Sequence, residues 1–407
     1  MSSTALFRPE TEIANTGTAQ AGASSVTTAL GTVSLRVSGD LPGLKALWQS
    51  MQAAVPCTEA QTYDWARAWT DHVLAPRGDR AVIVVGYGPD GTPLFLLPFE
   101  MGTASGLPVL RWIGQDHANY NMGLFVPKAA RAFTRTDTSR LVQAAGRQSG
   151  AAAALLGAQP FAWEGVPNPF ALLSHQGAPN SGYAINLGDF STLYNGRFSK
   201  RSRQTLDRKE RHLRDMGSLT YGWAETREER LALLETFFAQ KARQFDAMGV
   251  TNVFDAPACA FYRDLALLPD DSPSRLKIGY VALDGEVLAT FSGTVCQGRV
   301  GVMLSSLTES DARRQSPGAL LLRHQIEEAC EAGLKFFDLG VGQARHKDEW
   351  SNTVYALFDS FIAFRPQGLL VTLPLAAAAQ LKRAIKSNRQ VWSFAQDLRR
   401  RLNSRKD

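Results

Sequence analysis

The 407-residue sequence predicts an α/β (α+β) protein made of two similar domains, each a mixed central sheet flanked by helices. Two observations carry this. Residues 80–101 and 277–296 each read as two apolar strands joined by a turn, Asp90-Gly91 in the first and Asp284-Gly285 in the second. An Asp-Gly pair between β-rich runs is a strong hairpin signal. Each hairpin is also embedded in the same order of elements: helix before, then further β sequence, an amphipathic stretch and a short apolar run. Those last two are residues 137–148 and 152–157 in the first half, and 318–332 and 334–339 in the second. Such a repeat points to a weak internal duplication, or to two generic α/β domains.

Taken in order, residues 1–32 are rich in Ser, Thr, Ala and Gly and are expected to be disordered. The first domain spans 33–182, with Trp65 and Trp69 at helical spacing as core and an irregular Pro- and Gly-rich stretch from 160 on. The second spans 183–366. It opens with a very basic helix, 197–214, which holds eight Lys or Arg against Asp207 and Glu210. That helix is either a solvated face or a surface for an anionic ligand. A helix over 227–246 places Leu231, Leu234, Phe237, Phe238 and Phe245 on its core side. Strands are expected over 300–307 and 354–364.

Residues 367–407 read as a basic amphipathic helix. From Pro374 onward there are nine Lys or Arg against Asp397 and Asp407, so the net charge of +6 resides in this tail. Its apolar positions Leu381, Ile385, Trp392, Ala395, Leu398 and Leu402 either pack back on the protein or meet an anionic membrane surface. No apolar run approaches the ~20 residues of a membrane span, and no basic-then-apolar leader begins the chain, so a cytoplasmic location is expected. The four cysteines and six histidines show no metal-ligand spacing; no metal is expected.

The chemistry concentrates in 316–350. Ser316-Pro317-Gly318 reads as a capped helix start, whose exposed N–H groups and dipole suit a phosphate, with Gly318 letting it approach. Arg313, Arg314, Gln315 and Ala319 flank it. The short strand 334–339 carries Asp338 near its end and is followed by Gly340-Val341-Gly342 and by His346 and Lys347. Asp338 is a candidate base or substrate binder, or a cap for the glycine turn. Lys347 suits a phosphate or an oxyanion, and His346 a proton shuttle. In the first half Asp116, His117, Asn119, Tyr120 and Asn121 crowd one loop.

SPGALLL (316–322), FDLGVG (337–342) and HKDEW (346–350), in this order and spacing, resemble the CelD/BcsL-like acyltransferases associated with cellulose and exopolysaccharide biosynthesis. His346 stands where that family usually has an aromatic. The likeness extends to SKRSRQTLDRKERHLRDMG and to FFAQKARQFDAMG with Lys241, and more loosely to the first half. The family belongs to the GNAT superfamily and is similar to the tandem GNAT-like domains of Fem peptidyltransferases.

The resemblance implies tandem GNAT-like domains and acyl transfer from a thioester, usually acetyl-CoA, to an amine or hydroxyl of a sugar or amino-sugar precursor. It places the CoA pyrophosphate on Arg313, Arg314, Gln315, Ser316, Gly318 and Ala319, catalysis at Asp338, Lys347 and His346, and the acceptor near Asp116, Tyr120 and Lys241. It also implies peripheral association with a membrane polysaccharide synthase. Two alternatives stand beside it: a Fem-like aminoacyl transferase using charged tRNA, and a non-catalytic scaffold. Other nucleic-acid binding is not expected, because the basic residues lack a regular aromatic platform.

Overall fold

The structure, a computed structural model, describes residues 24–387. Residues 24–32, expected to be disordered, instead form a hairpin: β1 (Ser24–Thr28) pairs antiparallel with β2 (Gly31–Ser38). Composition concealed the alternation that makes it possible. Val26, Val33 and Leu35 face the core, and Gly31 turns the chain at φ +88°.

α1 (Leu41–Ala54) follows, and α2 (Tyr63–Trp69) runs through a π-helical turn into α3 (Ala75–Arg77). β3 (Arg80–Tyr87) and β4 (Pro93–Ala104) form the expected hairpin, with Gly91 at φ +79°. Then come β5 (Leu107–Trp112), β6 (Leu124–Phe125), α4 (Pro127–Ala132), α5 (Arg135–Ser149) and β7 (Ala153–Pro160). The irregular stretch holds the small hairpin β8 (Ala162–Trp163) and β9 (Val166–Pro167), then β10 (Gln176–Gly177).

In the second half, β11 (Gly182–Asn186) leads to α6 (Phe190–Arg197) and the basic helix α7 (Lys200–Met216). β12 (Leu219–Trp223), α8 (Arg227–Met248) and α9 (Ala256–Ala266) precede the second hairpin, β13 (Lys277–Leu283) and β14 (Glu286–Cys296). β15 (Arg299–Leu307), α10 (Pro317–Glu331), β16 (Phe336–Val341), α11 (Arg345–Trp350), β17 (Thr353–Tyr355), β18 (Leu357–Ala363) and α12 (Leu369–Ser387) complete the chain.

Two sheets result. The first runs β1-β2-β3-β4-β5-β7-β18-β10, with β6 on β4; the second runs β12-β13-β14-β15-β16-β11-β17. Each contains one parallel pair, β5 with β7 and β15 with β16, the hallmark of a crossover through a helix. The single strand expected over 354–364 is two strands in two sheets. β17 pairs with β11, and after Ala356 alone β18 enters the first sheet beside β7. Phe358 drives the switch: its fully buried ring packs in the first half's core.

The halves share a core. Trp48, Trp65, Trp69 and Val73 from the first pack with Leu234, Phe237, Phe261, Ile278 and Leu304 from the second. In α8 the buried stripe is Leu233, Leu234, Phe237 and Gln240, while Leu231, Phe238 and Phe245 are half-buried at its margin. No described helix is long and apolar enough to cross a membrane. The tail positions Trp392, Ala395, Leu398 and Leu402 lie outside the described residues.

Candidate functional site

The parallel ladder between β15 and β16 is only three pairs long: Arg299 with Phe336, Val300 with Phe337, Gly301 with Asp338. Beyond it the strands part. β15 stays with β14 out to Leu307, while β16 bulges and follows β11. Glycines at the end of the strand explain the departure, with Gly340 at φ +77° inside it and Gly342 at φ +96° just past it. Asn119, from the loop after β5, reaches into this fork. Its Nδ2 donates to the Val302 carbonyl at 2.8 Å, and its Oδ1 accepts from the Val341 N–H at 3.2 Å. A Cβ on Gly340 would stand 2.6 Å from that Oδ1, so the close approach needs glycine.

Asp338 sits at the vertex, fully buried. Its Oδ1 accepts from the Tyr120 hydroxyl at 2.9 Å and from the Gly340 N–H at 2.8 Å; its Oδ2 accepts from Arg299 at 3.1 Å. Arg299 also pairs with Glu164 and donates to the Tyr355 hydroxyl, and its guanidinium lies over the rings of Phe336 and Trp163. Burial pushes the Asp338 carboxyl up, against the pull of Arg299, Gly340, Tyr120 and Lys347. The cap on the glycine turn is present, through the Gly340 N–H, and the same carboxylate holds Tyr120, the first-half residue expected on the acceptor side. Its oxygens are committed to fixed donors, which suits a frame better than a proton acceptor.

Two half-buried lysines flank the fork. Lys347, on α11, donates to the Val341 carbonyl at 2.9 Å; burial pushes its pKa down to about 8, opposed by Asp338. Lys241, on α8, donates to the Ser305 carbonyl on the other arm at 3.2 Å, and burial lowers its pKa as well. His346 is half-buried with its ring 6.5 Å from Phe291, and burial and the Lys347 charge hold it below the usual histidine range. Asp116, by contrast, is exposed on the turn before Asn119.

Sequence reasoning missed Glu59. It lies on a short 3-10 turn, Glu59–Gln61, locked by a capping box between Thr58 and Gln61. Ser274 and Thr62 hydroxyls both donate to its carbonyl, fixing the backbone. Its side chain is only 4% exposed. A Cβ on Gly301, the last residue of β15 paired with β16, would stand 3.1 Å from Glu59 Oε2. The carboxyl thus abuts the vertex of the fork. Burial raises its pKa to about 7, with Asp338 adding to the rise and Arg299 and Thr294 opposing it. No local pattern announces such a residue. Arg299 and Glu164 were missed for the same reason: they meet each other across 135 residues of chain, and Arg299 meets Asp338 across 39.

The start of α10 differs in detail from expectation. Ser316 has a left-handed backbone, φ 57°, and its side chain makes no cap hydrogen bond; its hydroxyl instead accepts from Lys209 of the basic helix at 2.7 Å. The left-handed turn ends the 3-10 segment Asp311–Gln315 and swings the hydroxyl away from the helix. Gly318 lies against Leu307, where a Cβ would meet Cδ2 at 2.8 Å, so it also seats the helix on the end of β15. Arg313, Arg314 and Ala319 are exposed, while Gln315 is half-buried. An uncapped N-terminus with no acid in its first turn and Lys209 beside it fits a phosphate.

Residues 200–348, which run from α7 to α11, match the family model described as the acetyltransferase (GNAT) domain. The chain carries a GNAT-superfamily acyltransferase domain. That match encloses the fork, both lysines and the α10 start; Asn119, Tyr120 and Glu59 come from outside it. The chain shares its fold with FemX at a TM-score of 0.56, with 12% identity over 81% of this chain and 98% of that one. A protein of unknown function from Bacteroides thetaiotaomicron gives a TM-score of 0.51 and 11% identity over 78% and 97%. The C-terminal domain of an Agrobacterium fabrum protein taken to be a lysylphosphatidylglycerol synthetase gives 0.50 and 12% over 83% and 97%. At such identities the likeness is one of fold, and it embraces both halves around the GNAT domain. No curated protein sequence matches the chain. Among the described residues no group of three or more His, Cys, Asp or Glu is placed to hold a metal ion.

Proposed function

We propose that the protein transfers an acyl group from acyl-CoA to an amine or hydroxyl of a sugar or amino-sugar acceptor in polysaccharide or cell-envelope synthesis. The observation that carries the donor site is the parting of β15 from β16 beside the uncapped N-terminus of α10. Lys209, Arg313 and Arg314 with the N–H groups near Gly318 are the residues to hold the CoA phosphates. The saccharide acceptor rests on the CelD/BcsL-like motifs of residues 316–350.

In the reaction the acceptor nitrogen or oxygen attacks the thioester carbonyl carbon, the C–S bond breaks, and the thiolate leaves and takes up a proton. We assign the acceptor's proton to the Glu59 carboxylate, whose pKa near 7 matches a general base working at neutral pH. Lys347, still largely protonated there, supplies positive charge to the oxyanion. Asp338 holds Tyr120 and Gly340 in place, and His346 enters as a neutral imidazole. Activity then rises as pH passes about 7, where Glu59 ionises, and falls above about 8, where Lys347 loses its charge.

Calorimetry or thermal shift with acetyl-CoA, longer acyl-CoAs and free CoA tests the donor. Stabilisation by these ligands is expected, and its absence for all of them removes the CoA-dependent reading. One feature favours a second reading, with charged tRNA as donor: α7 exposes Lys200, Arg201, Arg208 and Arg211 close to the α10 start. Steeply salt-dependent tRNA binding lost in Arg201→Glu would establish it.

A further inference from the structure

α12 is mounted with its apolar side outward. Leu370, Leu373, Ala377, Leu381 and Ala384 recur at three- and four-residue spacing, so they share one face. All five are exposed, Leu370 to 71%. Leu369 flanks that face and is exposed too. The side toward the protein holds Val371 and Thr372, both buried, where the helix packs on β7 and β18. Gly368 fits against the Ala152 carbonyl, and the Arg383 guanidinium lies against Gly177. The helix is therefore anchored, and its leucines are held away from the core. A helix docked only on its own protein would show the opposite pattern.

The charge says what covers this face. From Pro374 to the end the chain carries nine Lys or Arg against two Asp, while the rest of the sequence is close to neutral. Two copies meeting along α12 would bring two such tails together, and repulsion opposes that. An anionic lipid surface satisfies both features: the leucines enter the acyl boundary and the cations meet the headgroups. No described helix is long and apolar enough to span, so the contact lies in the interface plane. We propose that the outer face of α12, with the basic chain that follows it, docks the protein on an anionic lipid bilayer.

The test is flotation of the full chain with vesicles of phosphatidylglycerol and phosphatidylcholine, and with vesicles of phosphatidylcholine alone. Binding at least tenfold stronger to the anionic vesicles, falling as salt rises, is expected. The double variant Leu370→Ser/Leu373→Ser should lose tenfold or more of that binding while keeping its circular dichroism and melting temperature, since both side chains are exposed. Leu381→Ser gives a second, independent reading of the same face. Equal binding to both vesicles, no binding to either, or variants that bind like the wild type would overturn the proposal. So would light scattering that finds a wild-type dimer and a monomeric double variant, which assigns the face to a second copy.

Discussion

Both halves part a pair of parallel strands, β5 from β7 and β15 from β16, yet they treat the opening and the helix beside it differently. In the first half the opening is filled from within. The Asn121 N–H donates to the Ala158 carbonyl, and its side-chain amide donates to the carbonyls of Gly157 and Gln115. The helix beside it, α5, is closed by its own residues: Thr134 accepts from the Asp137 N–H, and Asp137 accepts from the Thr134 N–H. In the second half the fork is bridged by the single amide of Asn119, and α10 begins without a side-chain cap. Asp137 and Ala319 are both the third residue of their helices. One puts a carboxylate where the other leaves room for a phosphate. An α/β fork beside a helix start is thus common to both halves, and under the proposed function the side chains at a few positions decide which one takes the donor.

The comparison can be broken at its hinge. Arg299→Ala leaves Asp338 buried at the fork without its cation, and a loss of about 3–5 kcal/mol is expected in urea denaturation. Glu59→Gln should lower the acyl-transfer rate by roughly 10²- to 10⁴-fold and remove the rise in activity through pH 7, with acetyl-CoA binding retained. Its effect on stability has the opposite sign. Because the folded pKa of Glu59 is raised from 4.5 to about 7, ionisation costs the folded state progressively as pH climbs between those values. Glu59→Gln should therefore gain up to roughly 3 kcal/mol at pH 8 and nothing at pH 4.

Ala319→Asp sharpens the contrast by giving α10 the charge that α5 carries. Acyl-CoA should bind at least tenfold more weakly by calorimetry, with the melting temperature unchanged or slightly higher. The converse change is the mildest. Asp137→Ala removes half of a capping box in the half assigned no donor, so it should cost about 1 kcal/mol and leave acyl-CoA affinity as it was.

Local chemistry explains which of these features were readable beforehand. Asp90-Gly91 and Asp284-Gly285 make their turns through backbone preferences of two adjacent residues, and the helix starting at Pro317 and the strand carrying Asp338 follow from patterns a few residues long. Lys347 and Tyr120 were nominated by motif, and the fold brings both to the Asp338 vertex. Glu59 lies far from every motif and acquires its character from burial against Gly301, some 240 residues on. The division of residues 354–364 between two sheets has the same origin. An apolar β run states that it pairs, and only the tertiary packing of Phe358 says with which partner.

That division also governs how the molecule comes apart. β17 closes the edge of one sheet, and one residue later β18 sits between β7 and β10 in the other. Melting either sheet pulls on a strand of its neighbour, and the tryptophan-rich core between the halves is lost with it. The two halves should therefore denature in a single transition, and a cut placed between residues 182 and 183 strips β18 from the first sheet rather than releasing two working modules.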